Sequence, residues 1–292
     1  MRTNLIAVTG ATGQLGRRLA YRLAAEGAAQ RLVVRDPDRA PNLAGAEIAV
    51  TRGYSDGAGM RAAFAGASTV VLIPAAETPD RVEQHVSAID AAVSAGVERL
   101  VYVSFVGADP RATFTLARQH ALTEARVRES GLRFTFLRMS LFDALLPRMV
   151  GADGVIRGPA GVGLVASVAH DDVADVATAV LLDEVTGAHD GETYDVTGPE
   201  LLSLADVAER LSRATGRDVT YRAETIEEAY ASRAAMGATA FEVAGWVTSY
   251  AAIGAGELAV VSPTVERLTG REAQSFAAWL ESNRAELDHL LP

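Results

Sequence analysis

Gly10-Ala11-Thr12-Gly13-Gln14-Leu15-Gly16 is the stretch whose residue types and spacing point most directly to chemistry. That chemistry is binding through the backbone rather than through side chains. Gly10 allows a tight turn, Gly13 lets backbone N–H groups approach phosphate oxygens, and Gly16 lets the next helix pack closely on the preceding strand. A dinucleotide pyrophosphate is the group that such a turn holds. A purely structural glycine turn would use the same residues, so context has to separate the two. Here an apolar run, Leu5-Ile6-Ala7-Val8, comes before the turn and an amphipathic run, Arg17 to Ala25, follows it. Strand, glycine turn and helix are the setting that favours the nucleotide.

Other chemistries are restricted by what the chain lacks. It has no cysteine and no lysine, all 27 basic residues being arginine, so thiolate nucleophiles, cysteine metal sites and Schiff bases are excluded. Its five histidines show no metal-ligand spacing, no metal is expected, and no serine sits in a nucleophile-elbow pattern. His85 falls on a helix-like run and His289 lies near the end of the chain. His170 precedes Asp171 and Asp172 at what reads as a helix start, where carboxylates act as caps.

The turn must be positioned by regular elements, and the sequence supplies them. Strand-like runs recur at residues 5–9, 31–34, 47–50, 69–73, 99–103 and 134–137, separated by helical runs of which the clearest are 17–25, 81–95 and 117–129. Gly27, Gly96 and Gly131 stand just past those helices as left-handed caps. The alternation predicts a parallel sheet covered on both faces, and the continuous apolar runs suit strands buried on both sides. It breaks after about Phe142 into a glycine-rich stretch, residues 151–163, that reads as a long loop or a short hairpin. A helix over 171–182, a strand over 193–196 and a helix capped by Ser203 follow. Thr225 and Glu228 form a capping-box pattern, and the last third is mostly helical and aromatic. We divide the chain into a nucleotide-binding core, 1–150, and a mixed part, 151–292, that contributes late core elements and a substrate lobe.

Length and composition agree with such a protein. A chain of 292 residues that is 49% hydrophobic can bury a full core. Its formal net charge of −10 argues against nucleic acid or an anionic membrane as partner. No charged-then-apolar leader precedes the first strand and no apolar run approaches a membrane span, so the expected location is cytoplasmic.

Several separated segments together resemble the NmrA-like branch of the atypical short-chain dehydrogenase/reductases. They are Val8-Thr9-Gly10-Ala11-Thr12-Gly13, Val34-Arg35-Asp36-Pro37, Val101-Tyr102-Val103-Ser104, Phe136-Leu137-Arg138, Asp171-Asp172-Val173-Ala174, and Leu268-Thr269-Gly270-Arg271 followed by Ser275-Phe276. Leu116-Ala117-Arg118-Gln119-His120 strengthens the likeness to the NAD(P)H-dependent quinone-reductase-like members. The resemblance implies an α/β, Rossmann-type doubly wound parallel sheet of six or seven strands, with a smaller, mainly helical C-terminal lobe closing over the cofactor. The implied cofactor contacts are Gly10, Thr12, Gly13, Gln14, Leu15, Gly16, Arg35, Ile73, Pro74, Ser104 and Arg118.

Arg35 stands where NAD-specific proteins carry an acid for the ribose 2′-hydroxyl, and an arginine there suits a 2′-phosphate, so the expected cofactor is NADP(H). The competing reading is a solvated arginine in a turn beside Asp36; Arg39 is either a second phosphate contact or surface. One departure stands out: family members carry Gly-Asp before an aromatic after the third strand, whereas this chain has Arg52-Gly53-Tyr54. Their adenine-contacting aspartate is missing, and Asp56 is the nearby acid that could replace it.

Catalysis is less directly readable. Ordinary members of the superfamily use Tyr-x-x-x-Lys, and the corresponding stretch here is Phe114-Thr115-Leu116-Ala117-Arg118. Arg118 can grip ribose or phosphate but cannot relay a proton near neutral pH. An alcohol-dehydrogenase mechanism is therefore disfavoured, whereas hydride addition to a quinone or another planar conjugated acceptor needs only a flat apolar pocket. Phe105, Met139, Phe142, Trp246 and Tyr250 are the candidate lining residues, although an aromatic on a helix is more often core. His120 and Arg118 are the catalytic candidates, His120 being either a donor to substrate oxygen or a helix-surface or satisfied core histidine. Tyr54 and Tyr102 could also donate a proton, although Tyr102 sits within a strand. The expected partner is a small aromatic or quinone molecule, and the expected state a monomer or homodimer. Two alternatives remain open: a non-catalytic NADP(H) sensor acting through a protein partner, and a tailoring reductase or oxygenase on a polycyclic aromatic.

Overall fold

The computed structural model describes residues 4–183, 185 and 187–291. Its centre is a seven-stranded parallel sheet built from β1 (Ile6–Thr9), β2 (Gln30–Val34), β3 (Glu47–Val50), β4 (Thr69–Leu72), β5 (Arg99–Phe105), β6 (Arg133–Met139) and a late strand, Thr193–Val196. The order is β3-β2-β1-β4-β5-β6 with the late strand last, so it reverses between β1 and β4. Ile6 of β1 is in register with Gln30 on one side and Thr69 on the other. The crevice where such a reversal occurs is the ligand-binding edge of an open α/β sheet. β1 and β4 are buried along their whole length, as their unbroken apolar runs predict.

Helices α1 (Gln14–Ala25), α2 (Gly57–Phe64), α3 (Arg81–Ser94), α4 (Thr115–Glu129) and α5 (His170–Leu182) connect these strands. Gly27, Gly96 and Gly131 take left-handed φ past α1, α3 and α4, as expected of C-caps. α2 is absent from the sequence reading because Gly57 and Gly59 weaken its helical signal; Asp56 caps it by accepting from Gly59 N at 3.0 Å.

Between β6 and the late strand, the glycine-rich stretch holds two short strands, β7 (Val155–Gly158) and β8 (Leu164–Val165), so the late strand is β9. It is neither a plain loop nor a closed hairpin. A turn at 151–154 makes one antiparallel bridge, Val150 with Ile156, and β7 then pairs in parallel with β11 (Thr220–Ala223). β8 pairs antiparallel with β10 (Leu202–Ser203). The remaining helices are α6 (Leu204–Thr215), α7 (Ile226–Arg233), α8 (Ala240–Gly254), α9 (Thr264–Thr269) and α10 (Phe276–Ser282). A capping box opens α7 at Thr225, as read from sequence; Ser203, the N-cap expected for α6, also forms a box with Asp206, and a third opens α8 at Thr239.

The chain divides into two compact units. The first comprises Met1–Phe105, Gln119–Arg138 and Val173–Tyr194, and the second Val106–Arg118, Met139–Asp172 and Asp195–Pro292. Where the sequence reading places one boundary near residue 150, this division alternates along the chain. Phe64, Tyr102, Phe136 and Ile89 centre the core of the first unit. In the second, Phe276 and Trp279 stack in the interior, 6.1 Å apart. Among the described residues no helix is long and apolar enough to cross a membrane.

Candidate functional site

β1 delivers the chain into the glycine turn, and each glycine has a measurable reason. Gly10 has φ +63°, and its carbonyl accepts from Gly13 N at 2.9 Å. A Cβ at Gly16 would lie 2.3 Å from the Gly10 carbonyl oxygen, a backbone atom with nowhere to retreat. α1 then starts with Gly13 as N-cap, no side-chain cap and no acid in its first turn. The first-turn N–H groups, which no helix can satisfy internally, remain available to an anion and carry the positive end of the helix dipole. α6, α7 and α8 close the same end with their own side chains, so the open end of α1 is a local choice of sequence.

That open end faces a cavity of about 270 Å³ at the carboxyl ends of β1, β2 and β4. Of the sequence-predicted residues, Gly10, Thr12, Gly13, Arg35, Ile73 and Pro74 line it together. Arg35 is exposed at its rim, and among the described residues no carboxylate or carbonyl takes its guanidinium. Asp36 is not its partner, since that carboxylate accepts from Asp38 N at 3.1 Å and caps a short 3-10 turn. Arg39 belongs to the same turn, and its carbonyl accepts from Arg17 at 3.0 Å. Asp56 is committed to the backbone, accepting from Gly59 N and Arg52 N, and these bonds hold its carboxyl below the usual aspartate range.

Tyr54, on the wall, locks three segments together. Its hydroxyl lies 2.7 Å from Thr9 Oγ1 and donates to the Ile73 carbonyl, while Thr9 Oγ1 accepts from Ile73 N at 3.0 Å. Burial pushes the phenol up to about 12, so it stays protonated. The cavity, the uncapped helix end and the excluded Cβ at Gly16 together fit a dinucleotide phosphate. A larger and more open depression of about 550 Å³ on the second unit lies beside Arg210, already bidentate on Glu200, and has no such cradle.

Under the β4–β5 edge of the first unit runs a buried polar chain that only His120 and Tyr102 announce in the sequence. The His120 ring is 3% exposed, with Nδ1 2.8 Å from the Tyr102 hydroxyl and Nε2 3.4 Å from a terminal nitrogen of Arg81. His85 accepts from Ala75 N through Nε2 and meets Thr123 Oγ1 through Nδ1, both at 2.9 Å. Burial, with the Arg81 charge second, pulls His85 down to about 3 and His120 well below the ordinary histidine range. Burial raises the Tyr102 phenol as well. Ser104 is fully buried and donates to Glu124 at 2.6 Å, a carboxylate also held by Arg138 and Arg128. This commits the Ser104 hydroxyl away from any cofactor oxygen. Gln14 likewise turns its amide oxygen to Arg18, and Leu15 is buried.

Residues 10–184 match the model of a family described as NAD(P)H-binding. The chain belongs to that NAD(P)H-binding family. Quinone oxidoreductase 2 of Escherichia coli (strain K12) is 34% identical over 75% of this chain and 77% of its own. The NAD(P)H azoreductase of Xenophilus azovorans is 30% identical over 96% and 98%. A solved structure of an NADPH-dependent quinone oxidoreductase from Escherichia coli, complexed with NADPH, superposes with a TM-score of 0.85 at 30% identity, covering 95% of this chain and 99% of that one. The quinone-reductase-like resemblance carried by the separated motifs is borne out.

The match to the NAD(P)H-binding family ends at residue 184, and most of the other predicted residues of this family member belong to its second unit. Arg118 is exposed and donates from Nε to the Ala112 carbonyl at 2.5 Å. Phe142 stacks on His170 with ring centroids 3.6 Å apart, and Met139 is half-buried. Tyr250 is wedged against Gly158, where a Cβ would come within 2.2 Å of the ring, and Arg233 lies 5.3 Å above it. Trp246 is 38% exposed, the most accessible of the predicted aromatics. Phe105, in the first unit, is buried with its ring 6.0 Å from that of His120.

Proposed function

We propose that the chain is an NADPH-dependent oxidoreductase that reduces a quinone or another planar conjugated acceptor. The observation that carries this reading is the uncapped α1 end opening on a cavity whose rim holds an uncompensated Arg35. In the proposal the first-turn N–H groups hold the pyrophosphate, Arg35 takes the 2′-phosphate by charge-assisted hydrogen bonds, Tyr54 walls the adenosine half, and Ile73 and Pro74 line the crevice between the two nucleotides. Bound NADPH supplies a hydride. A quinone that accepts it becomes a hydroquinone monoanion, and water supplies the proton that completes the hydroquinone. No side-chain acid is required, which agrees with a neutral, doubly engaged His120 and a buried Tyr102. Within the second unit, Trp246, Phe142 and Met139 are proposed as apolar ligand contacts and Arg118 as an anion contact. The quinone oxidoreductase and azoreductase relatives support a flat conjugated acceptor.

The test mixes purified protein, NADPH and a panel of quinones and azo dyes, and follows loss of the reduced-nicotinamide absorbance. Acceptor-dependent oxidation is expected; none across the panel overturns the reading. A non-catalytic NADP(H) sensor is the second reading, favoured by the engagement of both His120 ring nitrogens. It requires unequal affinity for the two redox forms without turnover.

A further inference from the structure

Arg81 opens α3, yet it is only 5% exposed, unusual for an arginine. Its Nε donates to the Ala75 carbonyl at 3.1 Å and one terminal nitrogen reaches His120 at 3.4 Å. The other terminal nitrogen, Nη1, is buried without a partner. Among the described residues no carboxylate forms an ion pair with it; the Glu77 carboxyl, on the loop before α3, acts on it through space. An arginine does not deprotonate in a protein, so a full positive charge is held here without a hydrogen-bonded counter-ion.

The two histidines beside it add no charge of their own. Because Arg81 only donates, Nε2 of His120 must accept, which leaves the proton on Nδ1 facing Tyr102. His85, accepting from Ala75 N through Nε2, is fixed in the same tautomer. Both rings are therefore neutral, and Arg81 is the fixed charge of the cluster. The strand order also locates it. The sheet reverses between β1 and β4, so the two nucleotides of a dinucleotide lie on opposite sides of that crevice. Arg35 and Tyr54 mark the β2–β3 side. Arg81 is tied to Ala75, where the chain leaves β4, and through His120 to Tyr102 of β5, which is the side of the nicotinamide nucleotide.

We propose that Arg81 is a redox-discriminating charge, a buried cation without an ion pair that makes this site bind NADPH more tightly than NADP+. The proposal rests on reading the cavity as a nicotinamide dinucleotide site and does not depend on turnover. The oxidised ring carries one more positive charge than the reduced ring, and a fixed cation in a low-dielectric wall disfavours it. The hydride donor is thereby retained and the spent cofactor released, while the driving force for hydride transfer on the protein is reduced by the same factor.

The experiment is calorimetric titration of the wild-type chain, Arg81→Met and Arg81→Lys with NADPH and with NADP+, at low and high salt. Wild type is expected to prefer NADPH by about tenfold. The preference should persist in high salt because a buried charge is poorly screened. Arg81→Met should bring the two affinities within about twofold, and Arg81→Lys should keep the preference. Equal wild-type affinities, a preference that vanishes in salt, or an unchanged ratio in Arg81→Met overturns the proposal. The wild-type measurements decide even where a variant does not fold. If neither form binds, the dinucleotide reading fails; if the forms are discriminated but no acceptor is reduced, the oxidoreductase reading fails and this proposal stands.

Discussion

Arg35 and Arg81 are chemically the same side chain in opposite situations, and they differ in how far a sequence reveals them. Arg35 follows β2 directly, so its place at the cavity rim follows from counting along one strand–turn–helix unit. Arg35→Ser is expected to weaken NADPH binding by about tenfold or more while leaving NADH binding within about twofold, because only NADPH carries the phosphate that an arginine fork matches. Titration with both dinucleotides checks this, and equal losses for the two would make Arg35 a general electrostatic contributor. Arg81 and His85 gave no comparable signal. A polar residue on a helix-like run reads as surface, and the partners that bury these two, His120 and Thr123, are 39 and 38 residues away in sequence. His120 stands out by its motif, but whether it faces ligand or core is decided by Tyr102 and Arg81, which no local pattern brings together.

At the scale of elements, α1 and α6 make opposite uses of the same four unsatisfied N–H groups. Gly16→Ala should displace α1 from the Gly10 carbonyl, lowering stability by roughly 1–3 kcal/mol and weakening dinucleotide binding in step. Ser203→Ala removes the α6 capping box and should lower stability by about 1 kcal/mol with dinucleotide affinity unchanged. Thermal denaturation and titration of the two variants side by side separate these outcomes; a Gly16→Ala protein of wild-type affinity would count against the glycine argument. Caps and buried parallel strands were legible because each is a short-range rule. α2 and β7 were not, since Gly57 and Gly59 mask the helix and the partner of β7 lies at residues 220–223, far beyond any local window.

For the whole molecule, the alternation of strands and helices announced the sheet, whereas the division into units depends on which segments leave the strand ends and return, as 106–118 and 139–172 do. Among the acids that the second unit buries, Asp143 has its carboxyl pushed up. Asp143 is 1% exposed and accepts from Ser167 at 2.5 Å, and burial, with Asp172 and Glu200 adding to it, pushes its carboxyl from 3.8 up to about 7. The folded state then keeps a proton that the unfolded chain has lost, so this group's contribution to stability falls as pH climbs from about 4 to about 7 and stays low above. Asp143→Asn should therefore melt higher than wild type near about pH 8 and no higher near about pH 4. A gain of the same size at both would remove the titration as its cause. The uncapped start of α1 has a consequence of a different kind. Since a ligand that binds only the folded chain adds its binding free energy to folding, the protein without dinucleotide opens more often at its first strand and helix. Its survival against proteases would then rise and fall with the cell's supply of dinucleotide, and its abundance would record that supply.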